Sequence, residues 1–149
     1  MLDKLRDAIA SGVQPIPLGR MLGFRVTDVR AGEAVIEMEA TSEHANPMGT
    51  LHGGVLCSIA DSAMGIAHAS TLGEGETGTT LELKINFLRP VWSDHLRAVG
   101  KVTKPGKTIS LVECDVLDSK GRLVARCSST CMTLRGEQAG GREVRTSPV

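Results

Sequence analysis

Residues 44–70 read HANPMGTLHGGVLCSIADSAMGIAHAS, and they decide how this chain of 149 residues folds. The stretch opens on turn formers, Asn46-Pro47 and Gly49, and passes through His52-Gly53-Gly54. Apolar and small side chains then run on to Ser70, long enough for a buried helix, until Gly73-Glu74-Gly75 closes the run. Asp61 is the only formally charged side chain in that run. At about 100° per residue, Val55, Leu56, Ile59, Ala63, Ile66 and Ala67 fall opposite Asp61 and form the core stripe. Beside Asp61 lie Cys57, Ser58, Met64, Gly65 and His68. A face turned to water would carry Lys, Glu or Arg. This one carries small and soft residues, so a second subunit or a ligand is expected to cover it. A carboxylate in such a place is either recruited for chemistry or an ordinary outer-face residue, and the wheel alone leaves both readings open.

Bulk composition narrows the function classes. The length fits one domain able to bury a core without disulfides or metals. Lys+Arg and Asp+Glu are both 17, so the formal net charge is zero, and aromatics make up 2%. There is no long basic run and few aromatics, which argues against phosphate tracking or base stacking on a nucleic-acid partner. The longest apolar run is interrupted by Asp61 and two histidines, so no membrane span is expected. The N-terminus, MLDKLRDAIAS, lacks the apolar core of a signal peptide, and a cytoplasmic location is expected. Cys57, Cys114, Cys127 and Cys131 include no CxxC pair and no His at zinc spacing, so neither a metal nor another cofactor is expected. Cys127 and Cys131 on one strand would stand about 13 Å apart, too far for a disulfide. Reduced thiols serving as small apolar groups are expected.

Taken in order, residues 3–11 read as a short helix, with Leu2, Leu5 and Ile9 at helical spacing and Gly12 as its stop. Pro15 and Pro17 make an extended connector, and 18–24 hold another helical turn. Two strands joined at Ala31-Gly32 fill 24–41. After the helix, Leu81, Leu83, Ile85 and Phe87 alternate with Glu82, Lys84 and Asn86, and Pro90 ends that strand. Further strands are expected over 96–103, 108–117 and 123–134, with turns at Pro105-Gly106 and Asp118–Gly121. The domain then spans 1–135 with 1–23 as a helical lead-in, and the polar, Gly-rich 136–149 is expected to be disordered. The sum is two strands, one long buried helix and an antiparallel four-strand meander. One apolar helix and one half-buried sheet satisfy each other when the sheet curls round the helix. The expected class is therefore α+β, a hotdog fold: a curved antiparallel sheet wrapped around one long central helix.

The run Asn46-Pro47-Met48-Gly49-Thr50-Leu51-His52-Gly53-Gly54, followed by Asp61, resembles the signature of hotdog acyl-CoA thioesterases of the phenylacetic-acid-degradation type. The resemblance extends to the strand start Gly78-Thr79-Thr80 and the strand end Phe87-Leu88-Arg89-Pro90, and covers about 18–134. It implies hydrolysis of an acyl-CoA thioester in a cleft between two subunits. It implies a homodimer as the minimal active unit within a homotetramer. The family's helix-start glycine falls on Gly53, its acidic catalytic residue on Asp61, its upstream Asn or Gln on Asn46, and its water-holding Ser or Thr on Thr80.

The residue types suit that chemistry. A thioester carbonyl gains negative charge when attacked, and unpaired N–H groups at a helix start face outward with the positive dipole end behind them. Gly53 has no side chain to keep a carbonyl away, which suits an oxyanion site. Water needs a base, and Asp61 is the only carboxylate nearby. The two residues are separated by about 12 Å of helix, so one chain does not easily put both on one carbonyl. Two antiparallel helices do, each site taking Gly53 from one chain and Asp61 from the other. Substrate contacts are expected from His52, Gly54, Met64 and Arg89. His52 reads as an orienting hydrogen-bonder, and His68 as interface packing. His44 and His95 have no assigned role. Two alternatives remain: a hotdog hydratase or dehydratase of acyl thioesters, whose His-with-acid arrangement is not seen here, and a non-enzymatic acyl-CoA-binding module, for which no output element is seen.

Overall fold

In the computed structural model, which describes residues 1–142, the helix expected from the 44–70 stretch is α3, Gly53–Ala69. Ahead of it stand α1 (Leu2–Ala10), α2 (Pro17–Leu22), β1 (Phe24–Arg30) and β2 (Glu33–Ala40). Behind it follow β3 (Thr77–Phe87), β4 (Asp94–Lys104), β5 (Ile109–Leu117) and β6 (Leu123–Leu134). Short 3-10 turns occupy Ser42–His44 and Gly136–Ala139. No helix among the described residues is long and apolar enough to cross a membrane.

The strands form one antiparallel sheet in the order β1-β2-β4-β5-β6-β3. This corrects the four-strand meander. β4, β5 and β6 do follow one another, but β3 pairs with β6, from Thr77 opposite Leu134 to Phe87 opposite Ala125. Alternation of apolar residues tells which face a strand buries, not which strand lies beside it. Here α3 carries the chain across the sheet, so β3 is laid down at the far edge, and 88–93 lead back to β4 beside β2.

α3 packs against all six strands. Ile59, Ala60, Ala63, Met64 and Ala67 are completely buried beneath it. The closest approach is at Gly100 on β4, where an added Cβ would stand 2.5 Å from the backbone carbonyl of Ala63. Only glycine lets the helix backbone sit this low on the sheet. The wrap also corrects the helical-wheel division. Met64 and His68, placed beside Asp61 on the covered outer face, are 0% and 2% exposed and belong to the interior. A wheel assumes one packed side, whereas a curved sheet takes in more than half the circumference.

α1 closes one flank through Leu5 and Ala8, and the Gln14 side chain accepts a hydrogen bond from the Val26 N–H at 3.2 Å. Of the segment 136–149 expected to be disordered, residues 136–142 are described. Gly136–Ala139 forms its turn, and the Arg142 carbonyl accepts from Thr77 Oγ1 at 2.7 Å. Residues 143–149 of that segment lie outside the described residues.

Replacing Gly100 by Ala is expected to cost about 1–3 kcal/mol, the usual penalty for an extra methyl in a filled site. For a chain of this size that is a thermal midpoint lowered by roughly 2–12 °C. An unchanged midpoint in a thermal melt would mean that the helix does not rest on β4 as closely as described.

Candidate active site

The loop before α3 is held by its own side chains. The Asn46 N–H donates to the Thr50 carbonyl at 2.7 Å, and the Gly49 N–H donates to the Asn46 carbonyl at 2.9 Å. Asn46 Oδ1 accepts from the Met48 N–H, and its Nδ2 donates to Thr50 Oγ1, both at 2.9 Å. Asn46 is thus the organising residue of a turn, with one Nδ2 hydrogen left over. Gly49 has a φ of 83°, a left-handed conformation that favours glycine. Leu51 then anchors the loop in the core, with its N–H on the Val91 carbonyl at 2.7 Å.

His52 caps α3. Its Nδ1 accepts from the Gly54 N–H at 2.9 Å, and its carbonyl accepts from the Val55 N–H at 3.0 Å. The Gly53 N–H has no acceptor among the described residues. It is therefore the donor that a ligand at the helix start can use, with the helix dipole behind it. Glycine at this place has a second cause: an added Cβ would stand 2.9 Å from the Phe87 ring. Asn46, Thr50, Gly53, Phe87 and Arg89 border a cavity of about 400 Å³.

Asp61 lies in another place. Thr80 Oγ1 on β3 donates to Asp61 Oδ1 at 3.0 Å. The β3–β6 register shifts between Thr80 and Glu82, so a bulge sits next to this pair and turns Leu81 outward, 54% exposed. Asp61, Ser62, Gly65, His68 and Thr80 border a cavity of about 430 Å³, closed on another side by the Pro15–Pro17 connector. His68 Nε2 stands 3.3 Å from Thr133 Oγ1. Burial holds the His68 ring below the ordinary histidine value, and the charge of Glu76 opposes that only in part.

The cysteines are free. Burial pushes the Cys127 thiol up to about 12, with Cys57 and Asp61 adding to the effect. Burial likewise raises Cys57, Cys114 and Cys131. Protonated thiols are poor nucleophiles. The carboxylate near Cys57, Cys127 and Cys131 is that of Asp61.

Of the residues expected from the sequence, Asp61 and Thr80 meet in one cavity, and Asn46, Gly53 and Arg89 meet in the other. The two cavities share no bordering residue. His52 and Gly54 are bonded to each other in the helix cap. Met64 is corrected from substrate contact to core, because it is fully buried and borders neither cavity. His68, read as interface packing, is a buried wall of the Asp61 cavity; its seven-residue offset from Asp61, two turns on the same side, is the signal for it. Phe87 over Gly53 has no local signal, since the two meet only through the fold. His44 caps the 3-10 turn at Thr41, and His95 lies between Glu37 and Glu39 across β2 and β4.

The model of the thioesterase superfamily matches residues 48–125. A Saccharolobus solfataricus protein assigned as an esterase is 34% identical over 116 residues, covering 78% of this chain and 82% of that one. Acyl-coenzyme A thioesterase 13 of Homo sapiens is 29% identical over 130 residues, covering 85% and 91%. Among solved structures, the E. coli PaaI protein from the phenylacetic acid degradation operon superposes with a TM-score of 0.80 at 25% identity, covering 91% and 96%. With the helix, sheet and site geometry above, these matches identify the chain as a member of the thioesterase superfamily, a thioester hydrolase on the hotdog fold.

Proposed function

We propose that the protein hydrolyses acyl-CoA thioesters, as a PaaI-type enzyme, in sites shared by two copies of the chain. The observation that carries this reading is the division of the polar groups: Asp61 with Thr80 in one cavity, the free Gly53 N–H with Asn46 and Arg89 in another. Neither half suffices for hydrolysis, and two copies placed antiparallel supply both. The printed names of relatives point the same way, acyl-coenzyme A thioesterase 13 and 1,4-dihydroxy-2-naphthoyl-CoA hydrolase of Listeria monocytogenes.

The edge strand supports the pairing. β3 is bonded on one side only, to β6, and carries the outward Leu81 and Phe87, 54% and 55% exposed. A long, apolar, unpaired edge invites a second strand. Ile109 and Leu111, exposed on β5, offer an apolar patch for a further pairing of dimers into a tetramer.

In the shared site, the thioester oxygen accepts from the Gly53 N–H of one chain. Asp61 of the partner subunit takes a proton from water as the water oxygen attacks the carbonyl carbon. Thr80 donates to Asp61 and keeps the carboxylate aimed; its oxygen also accepts from the water. The tetrahedral oxyanion collapses, the carbon–sulfur bond breaks, and the CoA sulfur leaves with the proton held by Asp61. Arg89, exposed beside the Gly53 cavity, suits the CoA side of the substrate.

A panel of acyl-CoAs, read by a thiol reagent, is expected to release free CoA. A hydratase would change the acyl group and leave the thioester intact. Asp61→Asn keeps shape and the Thr80 hydrogen bond, so turnover is expected to fall by about 10²–10⁴-fold while thermal midpoint and acyl-CoA binding hold. Near-normal turnover in that variant would remove Asp61 as the base.

For Thr80→Val the expected loss is smaller, roughly ten- to a thousand-fold, the range for one positioned hydrogen-bond group. The branched shape is kept, so the melt should shift little. If unfolding accounts for the whole loss, Thr80 is structural only.

Asn46→Ala damages the helix-start half, whether through the turn or through its free Nδ2 hydrogen, and Asp61→Asn damages the other. Each homodimer should be almost inactive. After subunit exchange, half the dimers are mixed and each has one intact site, so activity should recover to about a quarter of wild type. Exchange confirmed by mass spectrometry without recovery would place the whole site within one chain.

A further inference from the structure

The cavity beside Asp61 continues past the carboxylate. Ser62, Gly65, Ile66 and Ala69 of α3 form one wall, and 77–80 of β3 form another. Apart from Ile66 the helix side chains here are small, so the space is a slot running along the helix. It leads to His68. Seven residues of helix separate His68 from Asp61, about 10 Å.

That end of the slot is polar. His68 is 2% exposed, and one ring nitrogen, Nε2, is 3.3 Å from Thr133 Oγ1. The other, Nδ1, has no hydrogen-bond partner among the described residues; among those residues no fully enclosed side-chain nitrogen or oxygen is left unpartnered, so this atom is open to the slot. It stands against Gly78, which also borders the slot, and a Cβ at 78 would come within 2.6 Å of it. Any other residue at 78 would cover this nitrogen; glycine leaves it uncovered. A ring nitrogen open to a cavity and not bonded to the protein is free to pair with a polar group of a ligand placed there. Burial favours the neutral ring. A neutral imidazole has one donor and one acceptor. Whichever of these Thr133 engages, Nδ1 is left with the other, and a hydroxyl can satisfy either.

Building on the acyl-CoA reading above, we infer that His68 determines specificity, by hydrogen-bonding a hydroxyl or similar polar group at the far end of the acyl chain. The helix span of about 10 Å, less a hydrogen bond of about 3 Å, leaves about 7 Å from the reacting carbonyl. That suits an ω-hydroxylated straight chain of about six carbons, or a ring of similar reach.

The test compares 6-hydroxyhexanoyl-CoA with heptanoyl-CoA, which has a methyl group where the first has a hydroxyl. The intact protein is expected to favour the hydroxylated ester in kcat/KM by about tenfold, the scale of one net hydrogen bond. His68→Leu should abolish that preference while still hydrolysing heptanoyl-CoA. His68→Asn places an amide near the Nδ1 position and should keep part of it. A wild-type ratio near one, or a ratio unchanged in the Leu variant, would overturn the assignment to His68 and leave the thioesterase reading standing. Should the Leu variant not fold, the wild-type ratio and the Asn variant decide. If the intact protein hydrolyses no acyl-CoA, the functional reading fails, and this inference fails with it.

Discussion

The seat of α3 on β4 governs everything else in this molecule. At Gly100 the sheet has no side chain, and the backbone of Ala63 comes down to fill the gap. Ala60, Ala63 and Ala67 keep the helix slim along the same line, so the sheet can close round it from β1 to β3. A helix with larger residues there would ride higher, and the strands would contact it on one side only. Depth of seating is therefore what allows a single 17-residue helix to serve as the core of a six-stranded sheet.

The same seating dictates where polar atoms can be. Most of the circumference of α3 is enclosed, so its polar groups are confined to its first turn and to the strip facing the edge strand. In the first turn the His52 side chain and carbonyl satisfy Gly54 and Val55, and the Gly53 N–H has no partner among the described residues. The strip has Asp61, met by Thr80 where β3 bulges. Neighbouring thiols are kept protonated by burial. Electrostatics and packing thus leave one carboxylate and one backbone donor as the groups that the proposed reaction uses, on one helix that fixes their separation.

Much of this was legible in residue order. The helix follows from an apolar run bounded by glycines, and β6 was expected over the same residues it occupies, 123–134. The turn chemistry of Asn46-Pro47 and Gly49 is present as hydrogen bonds. What could not be read was adjacency. β3 has the same alternation whether it lies beside β4 or β6. Met64 and His68 have wheel positions next to Asp61, yet a wrapped helix buries both. Phe87 and Gly53 stand 34 positions apart in the sequence and meet only because β3 takes the far edge. Local pattern fixes faces and turns; the partners of a face depend on the path of the whole chain.

That path puts residues beside both Asp61 and Gly53 on one edge strand. Thr80, beside Asp61, and Phe87, over Gly53, are both β3 residues. Their midpoint falls between Leu83 and Lys84. If two copies of β3 pair antiparallel about that midpoint, Thr80 of one chain lies opposite the partner subunit's Phe87. The carboxylate half of each chain is then carried toward the helix-start half of the other, twice, by one two-fold axis. An unpaired edge strand is otherwise a liability. In the proposed dimer it is the element that turns two incomplete clefts into two complete sites, and the bulge at Thr80 sets the angle at which the Asp61 half arrives.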